Sequence, residues 1–124
     1  MDEVEYIFHV AALYRLNVSS QLLKEVNVQG TKNMLDAFIS SSAQHFVYTS
    51  TIAVYDHFKY KRHVFTETEP IGPVKDEPYH ATKREAELLV WDYQSRFPEK
   101  NFIISRPAGI IGPQDTYNIY LFIN

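Results

Sequence analysis

Apolar residues along this chain follow two alternating spacings. Glu5-Tyr-Ile-Phe-His-Val10 is a short, almost wholly apolar run that breaks at Ala11-Ala12. Such a run predicts a strand buried on both faces. From about Ser20 to Ser40 the spacing turns helical, with Leu23, Val26, Gly30, Met34 and Ala37 or Phe38 as the inward stripe. Ser40-Ser41-Ser42 closes it. His45-Phe-Val-Tyr-Thr49, rich in aromatic and β-branched residues, predicts a second buried strand. Residues 56–78 read as loop, punctuated by Pro70, Gly72, Pro73 and Pro78. A second helix is predicted from Pro78 to Phe97, its inward stripe being Ala86, Leu89 or Val90, Tyr93 and Phe97. Pro78 suits a helix start and Pro98 enforces a stop. Asn101-Phe-Ile-Ile-Ser105 is the third strand, closed by Arg106-Pro107.

This order predicts an α/β fold. Two consecutive β-α-β crossovers give three neighbouring parallel strands with helices covering the sheet. Ligands bind such sheets at the carboxyl ends of the strands. That rule brings Ala11-Ala12, Thr49-Ser50-Thr51 and Arg106-Pro107-Ala108 together as one candidate rim.

Composition narrows the classes. The 124 residues are 45% apolar and 22% charged, an ordinary soluble globular balance for one domain. Twelve Lys and Arg against 15 acids leave a net charge of -3, which argues against a nucleic-acid partner. There is no cysteine, hence no disulfide and no thiol nucleophile. Apolar runs are too short for a membrane segment, and MDEVEYIF lacks a signal-peptide shape, so a cytoplasmic location is expected. The four glycines, at 30, 72, 109 and 112, form neither G-x-G-x-x-G nor a P-loop, so the chain carries no glycine-rich phosphate cradle. Histidines at 9, 45, 57, 63 and 80 show no metal-ligand spacing and read as structural or solvated.

A tyrosine four residues before a lysine on a helix puts both side chains on one face. The ammonium favours the phenolate, lowering the tyrosine's pKa so that it can exchange a proton with a substrate hydroxyl or carbonyl. The chain holds two such pairs, Tyr55/Lys59 and Tyr79/Lys83. The first lies in a predicted loop with no fixed geometry. The second opens a well-delimited helix near the strand-end rim, and is the candidate. Thr49-Ser50-Thr51 offers three hydroxyls there, either as donors or simply as caps that end a strand. Asn27, beside the inward stripe of its helix, must satisfy its amide on a neighbouring backbone group or on a bound ligand.

Phe8-His-Val-Ala-Ala12, Val26-Asn-Val-Gln-Gly-Thr31, Val47-Tyr-Thr-Ser-Thr-Ile-Ala-Val-Tyr55, Pro78-Tyr-His-Ala-Thr-Lys83 and Arg106-Pro-Ala-Gly-Ile-Ile-Gly-Pro113 stand in this order. The series resembles the successive signatures of the extended short-chain dehydrogenase/reductases. That group includes nucleotide-sugar epimerases and dehydratases, 3β-hydroxysteroid dehydrogenases and dihydroflavonol reductases, and the wording leans toward the last two. The resemblance runs from about Val4 to Pro113. It implies a partial Rossmann-like, doubly wound parallel sheet, residues 1–124 forming one partial NAD(P)-binding domain without the glycine-rich half. The cofactor implied is NAD or NADP. The activity implied is oxidoreduction of a secondary alcohol or ketone, or epimerisation or dehydration of a nucleotide sugar through a transient ketone. The substrate would be a sterol, a flavonoid-like ketone or alcohol, or a nucleotide sugar.

By the same resemblance Tyr79 would be the general acid/base. Lys83 would bind the nicotinamide ribose and lower the pKa of Tyr79. Thr51, with Ser50 beside it, matches the family's catalytic Ser or Thr. Ala11 and Ala12 would flank the dinucleotide, Asn27 would help position the cofactor side, and Pro107 and Ala108 would border the carboxamide. Asp56 stands where the family usually has glycine, which implies an altered turn. The chain opens at what resembles the family's fourth strand and stops at Tyr120-Leu-Phe-Ile-Asn124, soon after the sixth. It is therefore expected to be a fragment of a longer enzyme. The alternative is a reduced, non-catalytic remnant serving as an interaction or dinucleotide-sensing module. In many relatives helices equivalent to 20–40 and 79–97 pair in a homodimer, and Leu88 and Trp91 lie off the inward stripe where they could serve this way.

Overall fold

The computed structural model describes residues 4–14, 17–55, 64–72, 78–110 and 112–113. Three parallel strands, β1 (Tyr6–His9), β2 (His45–Thr49) and β3 (Asn101–Ser105), pair in the order β1-β2-β3. Phe46 lies opposite Ile7 on one side and Phe102 on the other. The chain passes from β1 to β2 through α1 (Ser20–Lys24), a π-helical stretch (Glu25–Gln29) and α2 (Gly30–Ile39). It returns to β3 through α3 (Pro78–Arg96). The architecture is α/β, as the alternation of spacings predicts, and Rossmann-like, as the resemblance implies.

Local chemistry sets the boundaries. Ser19 caps the first helix by accepting the Leu22 amide at 3.2 Å. At its far end the hydroxyls of Ser40 and Ser41 donate to the carbonyls of Asp36 and Phe38, which competes with further helix. Pro78 begins α3, where its missing N–H costs nothing, and Pro98 follows its end.

The core lies on one face of the sheet. Leu35 and Phe38 of α2, Ala86, Val90 and Tyr93 of α3, and Phe46 and Tyr48 of β2 form one buried cluster. On the opposite face Phe8 is 66% exposed and Tyr6 and Ile103 are also open. The expectation that β1 is buried on both faces is thus corrected: among the described residues both helices pack on the same side. Two right-handed crossovers in one direction across a sheet place their helices that way.

The inward stripe of the first helical segment also differs from the prediction. Its buried residues are Leu23, Asn27, Val28, Thr31, Leu35 and Phe38, while Val26 is exposed and Ala37 faces solvent. Asn27 therefore lies within the stripe, not beside it. Polar side chains can occupy that line because each finds partners inside.

Candidate active site

The end of β2 and the segments that follow β1 and β3 meet the N-terminal half of α3, at Lys83, Tyr79 and Glu87 respectively. Two backbone bonds knit the rim: Ser50 N–H donates to Ser105 C=O at 2.7 Å and Ile52 N–H to Pro107 C=O at 3.1 Å. Lys83, one turn into α3, is almost fully buried and donates to the Thr49 carbonyl at 2.6 Å, with its ammonium 4.4 Å from the centre of the Tyr48 ring. One N–H of three is thereby used. Burial pulls its pKa down to about 8, with the Glu87 charge partly opposing.

Asn27 resolves in favour of the backbone. Its Oδ1 accepts from Leu13 N–H at 2.7 Å and its Nδ2 donates to Leu13 C=O at 3.0 Å. The same Nδ2 reaches Thr82 Oγ1, which in turn donates to the Tyr79 carbonyl at 2.7 Å. Asn27 thus fastens the loop after β1 to the turn that carries Tyr79. It sits in the π-helical stretch, a geometry that recurs at functional sites. Thr31 donates to Asn27 C=O at 2.6 Å, so its oxygen accepts the Nε2–H of His9 at 2.9 Å. Burial and the Lys83 charge lower the pKa of His9, which keeps it neutral.

Tyr79 is half-buried, its ring edge-on to Tyr14 with centres 4.6 Å apart. Its pKa lies above that of a free phenol, because burial disfavours the phenolate. The expected lowering by Lys83 is corrected: the ammonium is directed at Thr49 and Tyr48. Among the described residues no hydrogen bond joins Tyr79 Oη to Lys83 or Thr51. Thr51 begins a 3-10 turn over Ile52–Val54, where its Oγ1 accepts the Ala53 amide at 3.2 Å. The cap uses a lone pair and leaves the hydroxyl proton to donate. Ser50 is buried and its hydroxyl donates to Glu87. Ala11, Ala12 and Ala108 are exposed along the rim, and Pro107 is half-buried.

Two members of the site escape hydrophobic periodicity. Glu87, fully buried on α3, takes Arg106 Nε at 3.0 Å on Oε1 and Ser50 on Oε2. Arg106 also donates to the Tyr55 hydroxyl at 2.7 Å. A carboxylate next to Ala86 and on the same buried side as Val90 and Tyr93 is the sequence signal that marks Glu87. Tyr55 therefore serves in this ion-pair network. Lys59, its partner in the alternative Tyr/Lys pair, lies outside the described residues, as do Asp56, His57, His63 and Tyr120–Asn124.

The NAD dependent epimerase/dehydratase family model matches residues 1–122. The chain belongs to that family. The 3beta-hydroxysteroid-dehydrogenase/decarboxylase isoform 1 of Arabidopsis thaliana is 35% identical over 111 residues, covering 90% of this chain and 25% of that protein. An N-acetyl-alpha-D-glucosaminyl-diphospho-ditrans,octacis-undecaprenol 4-epimerase of Escherichia coli O157:H7 is 33% identical over 113 residues, covering 90% of this chain and 33% of its own length. Among solved structures, UDP-glucuronic acid 4-epimerase from Bacillus cereus in complex with NAD superposes with a TM-score of 0.76. It shares 25% identity over 91% of this chain and 34% of its own. The chain therefore spans a quarter to a third of the length of these proteins. Among the described residues no helix is long and apolar enough to cross a membrane.

The buried ammonium supplies a test of its own. Lys83 in the fold holds its proton less tightly than in the unfolded chain, where the ordinary value is 10.5. Between about pH 8 and 10 the unfolded state therefore binds more protons, and stability rises with pH. Above pH 10 the raised pKa of Tyr79 works in the opposite direction. Urea midpoints at pH 8 and 10 should show the rise, amounting to at most about 2 kcal/mol. Lys83→Met should flatten it, and an equal rise in both proteins would contradict the burial of the ammonium.

Proposed function

We propose that this chain forms the catalytic part of an NAD(P)-dependent oxidoreductase acting on a secondary alcohol or ketone. The observation that carries the reading is Lys83: a buried cation at the strand-end rim, one turn from Tyr79, with two of its three N–H groups unpartnered among the described residues. A buried cation with unused donors suits a ligand bearing hydroxyl oxygens, and the ribose next to a nicotinamide is such a ligand. The residues fit that end of a dinucleotide; no glycine-rich turn is present for the pyrophosphate.

When bound, the nicotinamide supplies the redox chemistry. Lys83 holds the ribose while Thr51 donates its hydroxyl proton to the reacting oxygen. Tyr79, a phenol at neutral pH as any tyrosine is and held more firmly so by burial, gives its proton to that oxygen in the reducing direction. Asn27 and Thr82 keep Tyr79 in place from behind. Ala11, Ala12, Ser50, Pro107 and Ala108 border the cofactor.

Family relatives include both hydroxysteroid dehydrogenases and nucleotide-sugar epimerases, so the second reading is epimerisation or dehydration with the same three residues. Incubation with a stoichiometric amount of NAD separates the two. A dehydrogenase given a sterol alcohol leaves reduced cofactor equal to the substrate consumed, whereas an epimerase given a nucleotide sugar leaves none. Accumulation of reduced cofactor is expected. Its absence, with the sugar inverted, would assign the second reading. We also propose a homodimer through helices 20–40 and 79–97, because Leu22, Val26, Leu88 and Trp91 expose apolar surface on them. Sedimentation should give a dimer that Trp91→Glu converts to monomer; a monomeric parent protein would rule it out.

A further inference from the structure

We propose that Glu87 is a positioning residue of this site, clamping the loops after β2 and β3 to the helix that carries Tyr79 and Lys83. The inference rests on the oxidoreductase reading for its purpose, but on geometry for its existence. Glu87 stands one turn beyond Lys83 and two beyond Tyr79, so the three share one side of α3. Its side chain is completely inaccessible to solvent. One carboxylate oxygen accepts the hydroxyl of Ser50, the residue before Thr51. The other accepts Nε of Arg106 at 3.0 Å and its Nη2 as well, and Arg106 directly precedes Pro107 and Ala108. Both arms therefore end on the rim itself, one beside Thr51 and the other beside Pro107.

A buried ion pair is weak as a stabilising device, since apolar residues of similar volume often do as well or better. What apolar packing cannot supply is direction. The backbone bonds from Ser50 to Ser105 and from Ile52 to Pro107 tie the two loops to each other. Glu87 adds the tie between that pair and α3, so that Thr51, Lys83, Pro107 and Tyr79 move as one body. Trp91, the only tryptophan in the chain, donates to the same carboxylate at 3.3 Å and gives a fluorescence signal for the clamp.

The test compares the paired variant Glu87→Leu/Arg106→Leu with Glu87→Gln in the full polypeptide that carries these residues. The paired variant removes the clamp without leaving a lone buried charge. Glutamine can still bridge Ser50 and Arg106 through hydrogen bonds. Thermal midpoint, amide exchange at Ser50 and Ile52 without cofactor, and NADH affinity are measured for each. The paired variant should keep its midpoint, exchange faster at both amides and bind NADH about tenfold more weakly. Glu87→Gln should stay within about threefold of the parent in affinity, since the carboxamide can still accept from Arg106 and donate to Ser50. If the paired variant does not fold, Ser50→Ala cuts one arm alone and should accelerate exchange at Ile52 with little change in midpoint. Unaltered exchange and affinity in folded variants would overturn the clamp. A parent protein that binds neither NADH nor NADPH would instead overturn the oxidoreductase reading, and amide exchange would still decide the clamp.

Discussion

Arg106→Leu should cost the folded chain about 3–5 kcal/mol, because it leaves the Glu87 carboxylate buried without its cation. Glu87 is wholly inaccessible and the Arg106 side chain is 11% exposed, so water cannot take the lost partner's place. The loss is a large share of the stability expected for one domain, about 5–15 kcal/mol. Adding Glu87→Leu to the same protein should return most of it, since the uncompensated charge disappears with the carboxylate. Chemical denaturation of the two variants beside the parent measures both numbers. A loss below about 1 kcal/mol for Arg106→Leu would mean that the pair is solvated, as surface pairs are.

Strand and helix limits were legible wherever turn chemistry sits at the boundary. His45–Thr49 and Asn101–Ser105 coincide with their predicted ranges, and α3 starts at Pro78 as the ring geometry requires. Periodicity failed where polar residues point inward. Asn27, Thr31 and Glu87 are all buried, yet a hydrophobic pattern passes over them because their partners come from other segments: Leu13, His9, and Ser50 with Arg106. The exposed face of β1 was equally hidden, since Tyr6 and Phe8 read the same whether a second layer covers them or not. At the site, the residues of the rim were legible from strand-end logic and the Tyr79/Lys83 spacing. Their ionisation was not. Spacing alone says that an ammonium lies near a phenol, while the structure turns Lys83 to the Thr49 carbonyl and lets burial raise Tyr79.

That orientation divides the two roles. In the proposed reaction Lys83 would hold a ligand at the rim, and Tyr79 would move a proton. The two should therefore separate by mutation. Tyr79→Phe removes only the hydroxyl, keeps the ring against Tyr14 and leaves the Thr82–Asn27 support of the backbone intact. General acid catalysis of this kind contributes about 10²–10⁴-fold, so turnover should fall by about a thousandfold. Lys83→Met keeps the volume and removes the charge, and its defect should lie first in cofactor affinity.

The most direct measurement is turnover and NADH affinity of Tyr79→Phe, determined on one preparation of the full polypeptide. Turnover should fall by about a thousandfold while the dissociation constant stays within about threefold of the parent. Near-normal turnover in that variant would contradict the proposed role of Tyr79.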